Sequence, residues 1–295
     1  MSIAFIKSKE WGIFIMALTL LSFYSPLNAE TENYEKDGFR QRWDSYMRYM
    51  PSRNVEAMSG EVELIASYAE YSYEFKAFDK LPVKISVENE YIGIEDSVSI
   101  DLPAHLVGSG TDIETTLPFF NFNETYLRLG INPSFYADDW DARSSAFRIP
   151  MRYFLIHRPN DKWTFVAGVA VYPDFEDEVW PLLGFIYKPN DRLTFHLVPD
   201  RPNITYILND SLALFTEGEI TSAEFEVTRN NVKDVVLHYK EARLTGGIKY
   251  KLNPHIQTSV TAGGVFNRLL KYRDDLGKVN IKNGLYSEFR IEAEL

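Results

Sequence analysis

Five histidines and two acidic runs are the side chains of this 295-residue chain that could bind a metal ion or transfer a proton. The histidines are His105, His157, His196, His238 and His255. No two of them have the i, i+4 spacing of a zinc-binding helix, so each is interpreted as a strand or turn residue. The acidic runs 138–141 and 174–178 could coordinate calcium, but neither matches an EF-hand loop. We therefore interpret both runs as solvated loops and predict no metal site.

Serine and glycine motifs give no sign of an enzyme. Gly108-Ser109-Gly110 lacks the strand and helix that flank a nucleophile elbow. The pairs Gly246-Gly247 and Gly263-Gly264 lack the Lys-Ser or Lys-Thr of a phosphate loop. The chain has no cysteine, which excludes thiol catalysis and cysteine-ligated metal sites. The sequence therefore predicts no catalytic residues and no cofactor.

The composition indicates a folded protein rich in strands. Tyr 18, Phe 20 and Trp 5 form a large aromatic fraction, and aromatic residues favour strands. The formal net charge of −11 argues against a nucleic-acid-binding protein, which needs a basic surface.

The first 29 residues have the layout of a secretory signal peptide. Lys7 and Lys9 precede an uncharged apolar stretch, Trp11–Tyr24, and Ala29 follows a Ser-Pro break as a small residue suited to cleavage. A transmembrane anchor is the alternative, but the stretch is shorter than the ~20 residues that span a bilayer. We predict cleavage after Ala29, which leaves a chain with a net charge of −12.

Residues 30–59 differ from the rest of the chain. Phe39, Trp43, Tyr46, Met47 and Met50 are at helical spacing. The sequence predicts a short periplasmic helix that ends before the proline at position 51, with a loosely packed tail as the alternative.

From position 60 to 295, apolar and polar residues alternate with period 2, which is typical of strands. The predicted strands are 61–76, 82–92, 124–132, 144–157, 162–172, 179–188, 192–199, 203–209, 211–219, 221–229, 235–241, 243–252, 255–267 and 284–295. A further strand at 97–107 is the least regular. Several middle segments are short enough to be loops or parts of longer strands. We therefore predict an all-β, antiparallel up-and-down transmembrane β-barrel of about 12 strands, in the range 10–14.

Turn motifs give this barrel two different ends. Pro-Asn-Asp occurs at 159–161 and again at 189–191, and residues 252–255 and 229–233 are weaker relatives. Proline and a side chain that bonds its own backbone favour tight turns. Longer acidic loops lie between these motifs. Short periplasmic turns and longer external loops are typical of outer-membrane barrels.

Two features favour a membrane barrel over a soluble one. The polar face of the strands is strongly charged, as expected for a lumen, and aromatic residues cluster at strand ends, as in an interfacial girdle. A soluble periplasmic β-barrel that binds an apolar ligand inside is the alternative.

On these turn and strand patterns the chain resembles an uncharacterised family of Gram-negative outer-membrane β-barrel proteins. The resemblance covers about 60–295 and rests on 157–161, 187–191 and the last strand, Leu285–Leu295. One departure is Leu295, where such strands usually end in Phe or Trp. The resemblance implies a location in the cell outer membrane, contact with its lipid, and insertion by the barrel-assembly machinery through Leu285–Leu295. It implies no catalytic residues.

The candidate functional residues are charged side chains on the predicted lumen face: Arg128, Arg148, Arg152, Glu88, Glu90 and Arg290. Rings of like charge tune pore selectivity, whereas internal ion pairs close a narrow lumen. A barrel of this size lies between filled small barrels and open porins, and we favour a narrow or plugged lumen. The predicted function is a narrow channel for small solutes or a structural surface protein. A lipid-modifying outer-membrane enzyme is a further alternative.

Overall fold

The computed structural model describes residues 40–78, 81–120, 122–140, 144–199, 201–274 and 276–295. The predicted signal peptide and residues 30–39 lie outside these ranges. The described chain is almost entirely strand: β1 (Arg40–Asn54), β2 (Glu61–Ala77), β3 (Leu81–Asp96), β4 (His105–Pro118), β5 (Thr125–Ile131 and Ser134–Ala137), β6 (Phe147–Arg148 and Met151–Asn160), β7 (Trp163–Val171), β8 (Val179–Asn190), β9 (Leu193–Leu197), β10 (Asn203–Asn209), β11 (Leu212–Arg229), β12 (Val232–Lys251), β13 (Ile256–Tyr272) and β14 (Lys278–Ile281 and Gly284–Glu294). A single 3₁₀ turn, Ser144–Ala146, precedes β6. Among the described residues, no helix is long and apolar enough to cross a membrane.

Each strand pairs antiparallel with the next, and β14 pairs with β1, which closes a barrel of fourteen strands. β5, β6 and β14 are each interrupted by two residues and continue on the same partner strand. The all-β antiparallel prediction is confirmed. The strand number is above the predicted 12 and within the predicted range.

Alternation gives the barrel an apolar outer face. Large apolar side chains lie exposed on it, including Leu183 at 79%, Leu285 at 65% and Ile220 at 61%. The opposite face carries Arg48, Glu241 and Arg290, all of which are buried. This distribution is the reverse of a soluble barrel, whose apolar face points inward.

The helix predicted before position 51 is wrong, because residues 40–54 form strand β1 of the barrel wall. Trp43 pairs with Ala293 on one side and with Tyr71 on the other. Apolar residues on both faces of this strand imitated helical spacing, since one face is external and the other packs inside. Pro51 lies where the register with β2 shifts, and a bulge tolerates a residue without an N–H. The barrel therefore includes a segment that the sequence analysis placed before it.

Two long strands were predicted as four short ones. β11 and β12 pair continuously from Leu212–Tyr250 to Val227–Val235, through the predicted breaks near 220 and 242. Charged residues in the middle of these strands face the interior. In the sequence they resemble the polar residues of turns, which is why breaks were predicted there. The least regular predicted strand, 97–107, was also misplaced, because β4 begins at His105 and continues to Pro118.

The Pro-Asn turns are confirmed as side-chain-capped turns. Asn160 Oδ1 accepts hydrogen bonds from the N–H groups of Lys162 and Trp163 at 3.0 and 3.1 Å. Asn190 and Asn253 accept bonds in the same way from the residues two and three positions later. All three turns lie at one end of the barrel, here called the turn end. The 229–233 turn lies at the other end, so its predicted likeness to them is wrong. It uses Asn230 and Asn231 in the left-handed region, which suits a tight hairpin.

The other end, here called the loop end, carries the longer connections 97–104, 138–146 and 172–178. There β5 turns away from β6 and meets β11: Ala137 pairs with Glu226 in parallel, and the Asp138 N–H donates to the Glu226 carbonyl at 3.0 Å. This contact closes a smaller ring made of β1–β5 and β11–β14. The barrel is therefore fourteen strands around at the turn end and nine at the loop end.

Candidate functional site in the barrel lumen

The loop end of the lumen is filled by an apolar core. Met50, Val62, Leu64, Leu106 and Val227 have no measurable exposure. Phe225, Leu237, Leu270, Tyr272 and Val279 belong to the same cluster, and Val98, Ile100 and Leu102 of the β3–β4 connection pack against it. The small ring of nine strands allows these side chains to meet across the barrel. The straight path along the barrel axis is therefore closed at this end.

A layer of ion pairs lies directly below the apolar core. Arg48 Nη2 is 2.6 Å from Glu288 and 3.7 Å from Glu219. Arg243 is 2.5 Å from Glu219 and also pairs with Glu241. Since Arg48 and Arg243 are almost fully buried, each guanidinium needs these carboxylates to offset its desolvation.

Sequence reasoning did not select these side chains, apart from Glu288 on the last strand. Arg48 lies in the segment predicted as a helix, and Glu219, Glu241 and Arg243 border the two predicted breaks at 220 and 242. A signal was present, because two charges at alternate positions beside each predicted break, Glu217 and Glu219 in one case and Glu241 and Arg243 in the other, fit one continuous strand as well as a turn.

Two of the predicted lumen arginines contact carboxylates. Arg152 Nη2 is 2.5 Å from Asp112 and 3.3 Å from Glu114. Arg290 lies on β14 and is 3.7 Å from Asp44 and 3.4 Å from Glu288. These two side chains line opposite parts of the wall and do not form one ring.

The other predicted lumen residues are placed differently. Arg128 Nε donates to Thr116 Oγ1 at 3.3 Å, and Arg148 binds backbone carbonyls beside the 3₁₀ turn at the loop end. Glu88 accepts a hydrogen bond from Asn132 Nδ2 at 2.7 Å and one from the Tyr68 hydroxyl at 3.1 Å. Glu90 pairs in register with Tyr68 on the same face. The three predicted arginines on β5 and β6 therefore have separate environments.

The wall formed by β6–β9 is largely apolar on its inner side, although Arg152 of β6 is a charged, ion-paired side chain on the same face. Ile156, Val166 and Val198 form a buried cluster that Phe154 and Ile186 cover in part. Further toward the loop end, register places Gly168 between Phe154 and Leu182, and Ala170 between Arg152 and Trp180. The lumen is thus charged on one side and mostly apolar on the other.

A gap in strand pairing interrupts the wall at the loop end of this apolar side. β9 pairs with β8 only from Phe185 toward the turn end, and β10 pairs with β11 only up to Glu217. Beyond these points, β8 residues 179–184 and β11 residues 219–225 have no strand partner across the gap among the described residues. This gap is called the slit below.

The β7–β8 connection, residues 172–178, covers the slit. Phe175 is 9% exposed, and its ring lies 6.1 Å from that of Tyr136, which contacts Phe225 of the apolar core. The Trp180 ring at the start of β8 lies 6.0 Å from Lys240 Nζ of β12. Residues 172–180 therefore overlap the loop-end part of β11–β13, and we call them the flap.

Ion pairs fasten the flap to this surface. Glu176 lies 3.1 Å from Lys271 Nζ and 3.3 Å from His238 Nδ1. The Glu176 N–H donates to Glu224 at 2.7 Å, and Arg273 pairs with the buried Glu224 at 2.5 Å. Hydrogen bonds from Lys271 and His238 hold the pKa of Glu176 below its ordinary value. We call these five side chains the latch.

Three latch residues could also offer ligand atoms to a metal ion. One atom each of Glu176, Glu224 and His238 lies within 4.8 Å of the others. Lys271 and Arg273 already neutralise the two carboxylates, and a cation would have to displace them. The geometry therefore fits an ion-pair latch better than a metal site.

Comparison with known proteins places this chain in a family. A model of DUF6268, a domain of unknown function, matches residues 125–290, which is more than half of the chain. The chain belongs to the DUF6268 family. The predicted resemblance to an uncharacterised family is confirmed. The DUF6268 match includes the flap and the latch, and it leaves out β1–β4, which complete the barrel.

No curated protein matches this DUF6268 chain. Solved structures with a similar outline include an outer membrane channel from Pseudomonas putida F1, at 10% identity, 88% of this chain, 96% of that chain and a TM-score of 0.47. The NanC porin matches at 9% identity, 86% of this chain, 100% of that chain and a TM-score of 0.39. The translocator domain of the autotransporter NalP from Neisseria meningitidis matches at 9% identity, 97% and 96% coverage and a TM-score of 0.40.

Proposed function

We propose that this protein is an outer-membrane β-barrel that serves as a narrow channel for small solutes. The observation that carries the proposal is the closed ring of fourteen strands with exposed apolar side chains outside and ion-paired charges inside. A closed barrel satisfies its backbone hydrogen bonds within lipid, and its polar interior gives solutes a path. The turn end would face the periplasm.

The lumen charges would set which solutes pass. Glu88, Glu90, Arg152 and Arg290 lie on the inner face of the wide part of the barrel, and Arg128 and Arg148 lie near its margins. Because the apolar core closes the loop end, the channel would be far less conductive than an open porin. Its solutes would be small.

Planar-bilayer recording of the purified protein tests the channel. We expect brief conductance steps, small beside those of an open 16-stranded porin, because the axis is blocked at one end. The Glu88→Gln/Glu90→Gln variant should lower the cation preference of these steps, and Arg290→Gln should raise it, because fixed charges select permeating ions. Lys188→Gln, at an exposed turn, is the matched control and should change neither.

Silence of the wild type and of every variant, in bilayers that demonstrably contain folded protein, would overturn the channel. It would favour the second candidate, a structural surface protein. The packed apolar core at the loop end supports that candidate, because it makes this end rigid.

A further inference from the structure

The apolar side of the lumen leads to the slit. Starting near the turn end, Ile156 and Val166 are followed along the inner face by Phe154 and Leu182, and then by Ala170 and Trp180, with the ion-paired Arg152 beside Ala170. Phe175 of the flap lies beyond them. The charged side of the lumen, by contrast, leads to the ion pairs below the apolar core, where the axial path ends.

The slit lies beside the lipid-facing surface. Val179 and Leu183 on β8 and Ile220 on β11 flank it, and they are 59%, 79% and 61% exposed. Large apolar side chains at this exposure are typical of contact with hydrocarbon. An opening here would therefore connect the lumen with the bilayer rather than with water.

We propose that the flap is a lid on this lateral opening, and that a small apolar solute passes between the lumen and the outer leaflet when the flap lifts. The proposal rests on the proposed channel and names its substrate class. Phe175 fills the opening, and the latch holds the flap down. An apolar solute fits this route because most of the inner path and the outer surface are apolar. Arg152, a charged side chain beside Ala170 on this path, is already paired with Asp112 and Glu114.

The absence of native cysteine allows a direct test by cross-linking. In the Glu176→Cys/Lys271→Cys variant, a short bismaleimide would join the flap to β13, since the native side chains are 3.1 Å apart. The readout is the uptake rate of 1-N-phenylnaphthylamine, an apolar dye, by Gram-negative cells that express the protein. We expect the untreated variant to take up dye several-fold faster than the wild type. Cross-linking should reduce uptake to that of cells without the protein.

A second variant tests, without a cross-link, whether the Phe175 side chain closes the opening. Phe175→Ala should raise dye uptake several-fold, and Phe175→Leu should raise it less. Trp140→Ala removes an exposed aromatic side chain from a neighbouring loop and is the matched control. Heat-modifiable gel mobility of each variant shows that the barrel has folded. Equal uptake by folded Phe175→Ala and wild type, or no effect of the cross-link, would overturn the lid.

A labelling measurement checks the lid independently of transport. Tyr136→Cys places a thiol behind Phe175. A water-soluble maleimide should label it slowly in the otherwise native chain and several-fold faster when Phe175→Ala is added. Equal labelling rates would count against the flap as a cover.

Ion conductance and dye uptake, measured on the same variants, separate the two proposals. If conductance steps occur but dye uptake does not change in the flap variants, the channel proposal stands and the lateral route is contradicted. If dye uptake changes in the flap variants but no conductance steps occur, the ion-conducting channel is contradicted and the lateral route stands.

Discussion

At the residue scale, buried ion pairs determine which substitutions in the lumen destabilise the barrel. Arg48 and Glu288 are 2% and 8% exposed at their side chains, so neither charge is well solvated by water. Such a pair adds little net stability relative to apolar residues, but the loss of one partner leaves an uncompensated buried charge.

The Arg48→Ala variant should therefore lower the free energy of unfolding by about 3–5 kcal/mol, because Glu288 loses its strongest partner. Arg48→Met/Glu288→Met should recover most of this loss. Arg42→Ala is the control: Arg42 also pairs with a carboxylate, on Glu292, but is 49% exposed, and its loss should cost under ~1 kcal/mol. Urea unfolding in detergent, followed by gel mobility, measures all three. Similar losses for Arg48→Ala and Arg42→Ala would show that burial does not control the pair.

Residues also differ in whether the sequence predicted their contacts. Asn160 and Asn190 were predicted to cap their own turns, because the bond is to backbone two and three residues away. Arg152 was predicted only as a lumen charge, since its partner Asp112 is 40 positions away. No local pattern encodes such a contact.

At the element scale, closure of the flap is expected to depend on pH. Glu176 is faced by Lys271 of β13, His238 of β12 and Glu224 of β11, with Arg273 on Glu224 and Asp174, Asp177 and Glu178 within the flap itself. The pKa of Glu176 is lowered in the closed position by Lys271 and then by His238. Closing is therefore favoured at pH values above the ordinary Glu pKa of ~4.3, and this contribution is lost as the pH falls through the lowered value.

A nitroxide attached to Asp177→Cys should report this change. We expect a broad, immobilised electron paramagnetic resonance spectrum at neutral pH and a sharper, mobile one when the pH falls below the ordinary Glu range. Adding Glu176→Gln should give a mobile spectrum at every pH. His238→Gln, tested in parallel, removes the imidazole from the same contact. An unchanged spectrum across this range in the Asp177→Cys protein would contradict the latch.

Elements whose two faces differ were predicted well, and those with mixed faces were not. β7, with apolar residues outside and small residues inside, was predicted almost to the residue. β1 has aromatic residues on both faces and was therefore predicted as a helix. β11 and β12 carry charges in mid-strand and were therefore predicted as four short strands.

At the scale of the whole molecule, the change from fourteen strands to nine closes the axis and leaves the slit at the side. It depends on long-range contacts between β5 and β11, which include the Ala137–Glu226 pair and the 2.6 Å hydrogen bond from the Thr228 N–H to Asp138. The proposed orientation, with the loop end facing outward, can be tested on cells.

We expect Lys233→Cys, at the loop end, to react with a membrane-impermeant maleimide in intact cells. Asp161→Cys, at the turn end, should react only after the outer membrane is permeabilised. Both positions are exposed in the folded protein. The opposite pattern would invert the proposed orientation. Reaction of both residues in a soluble periplasmic fraction would favour the soluble-barrel alternative.

The sequence by itself determined most of the strands, their two faces and the capped turns, because alternation and turn chemistry act over two to four neighbouring residues. Only the tertiary structure decided the strand number, the apolar core at the loop end, the ion pairs below it and the flap over the slit. Each of these depends on contacts between segments far apart in the chain. Nothing in the local order of residues specifies which distant strand an inward side chain will meet.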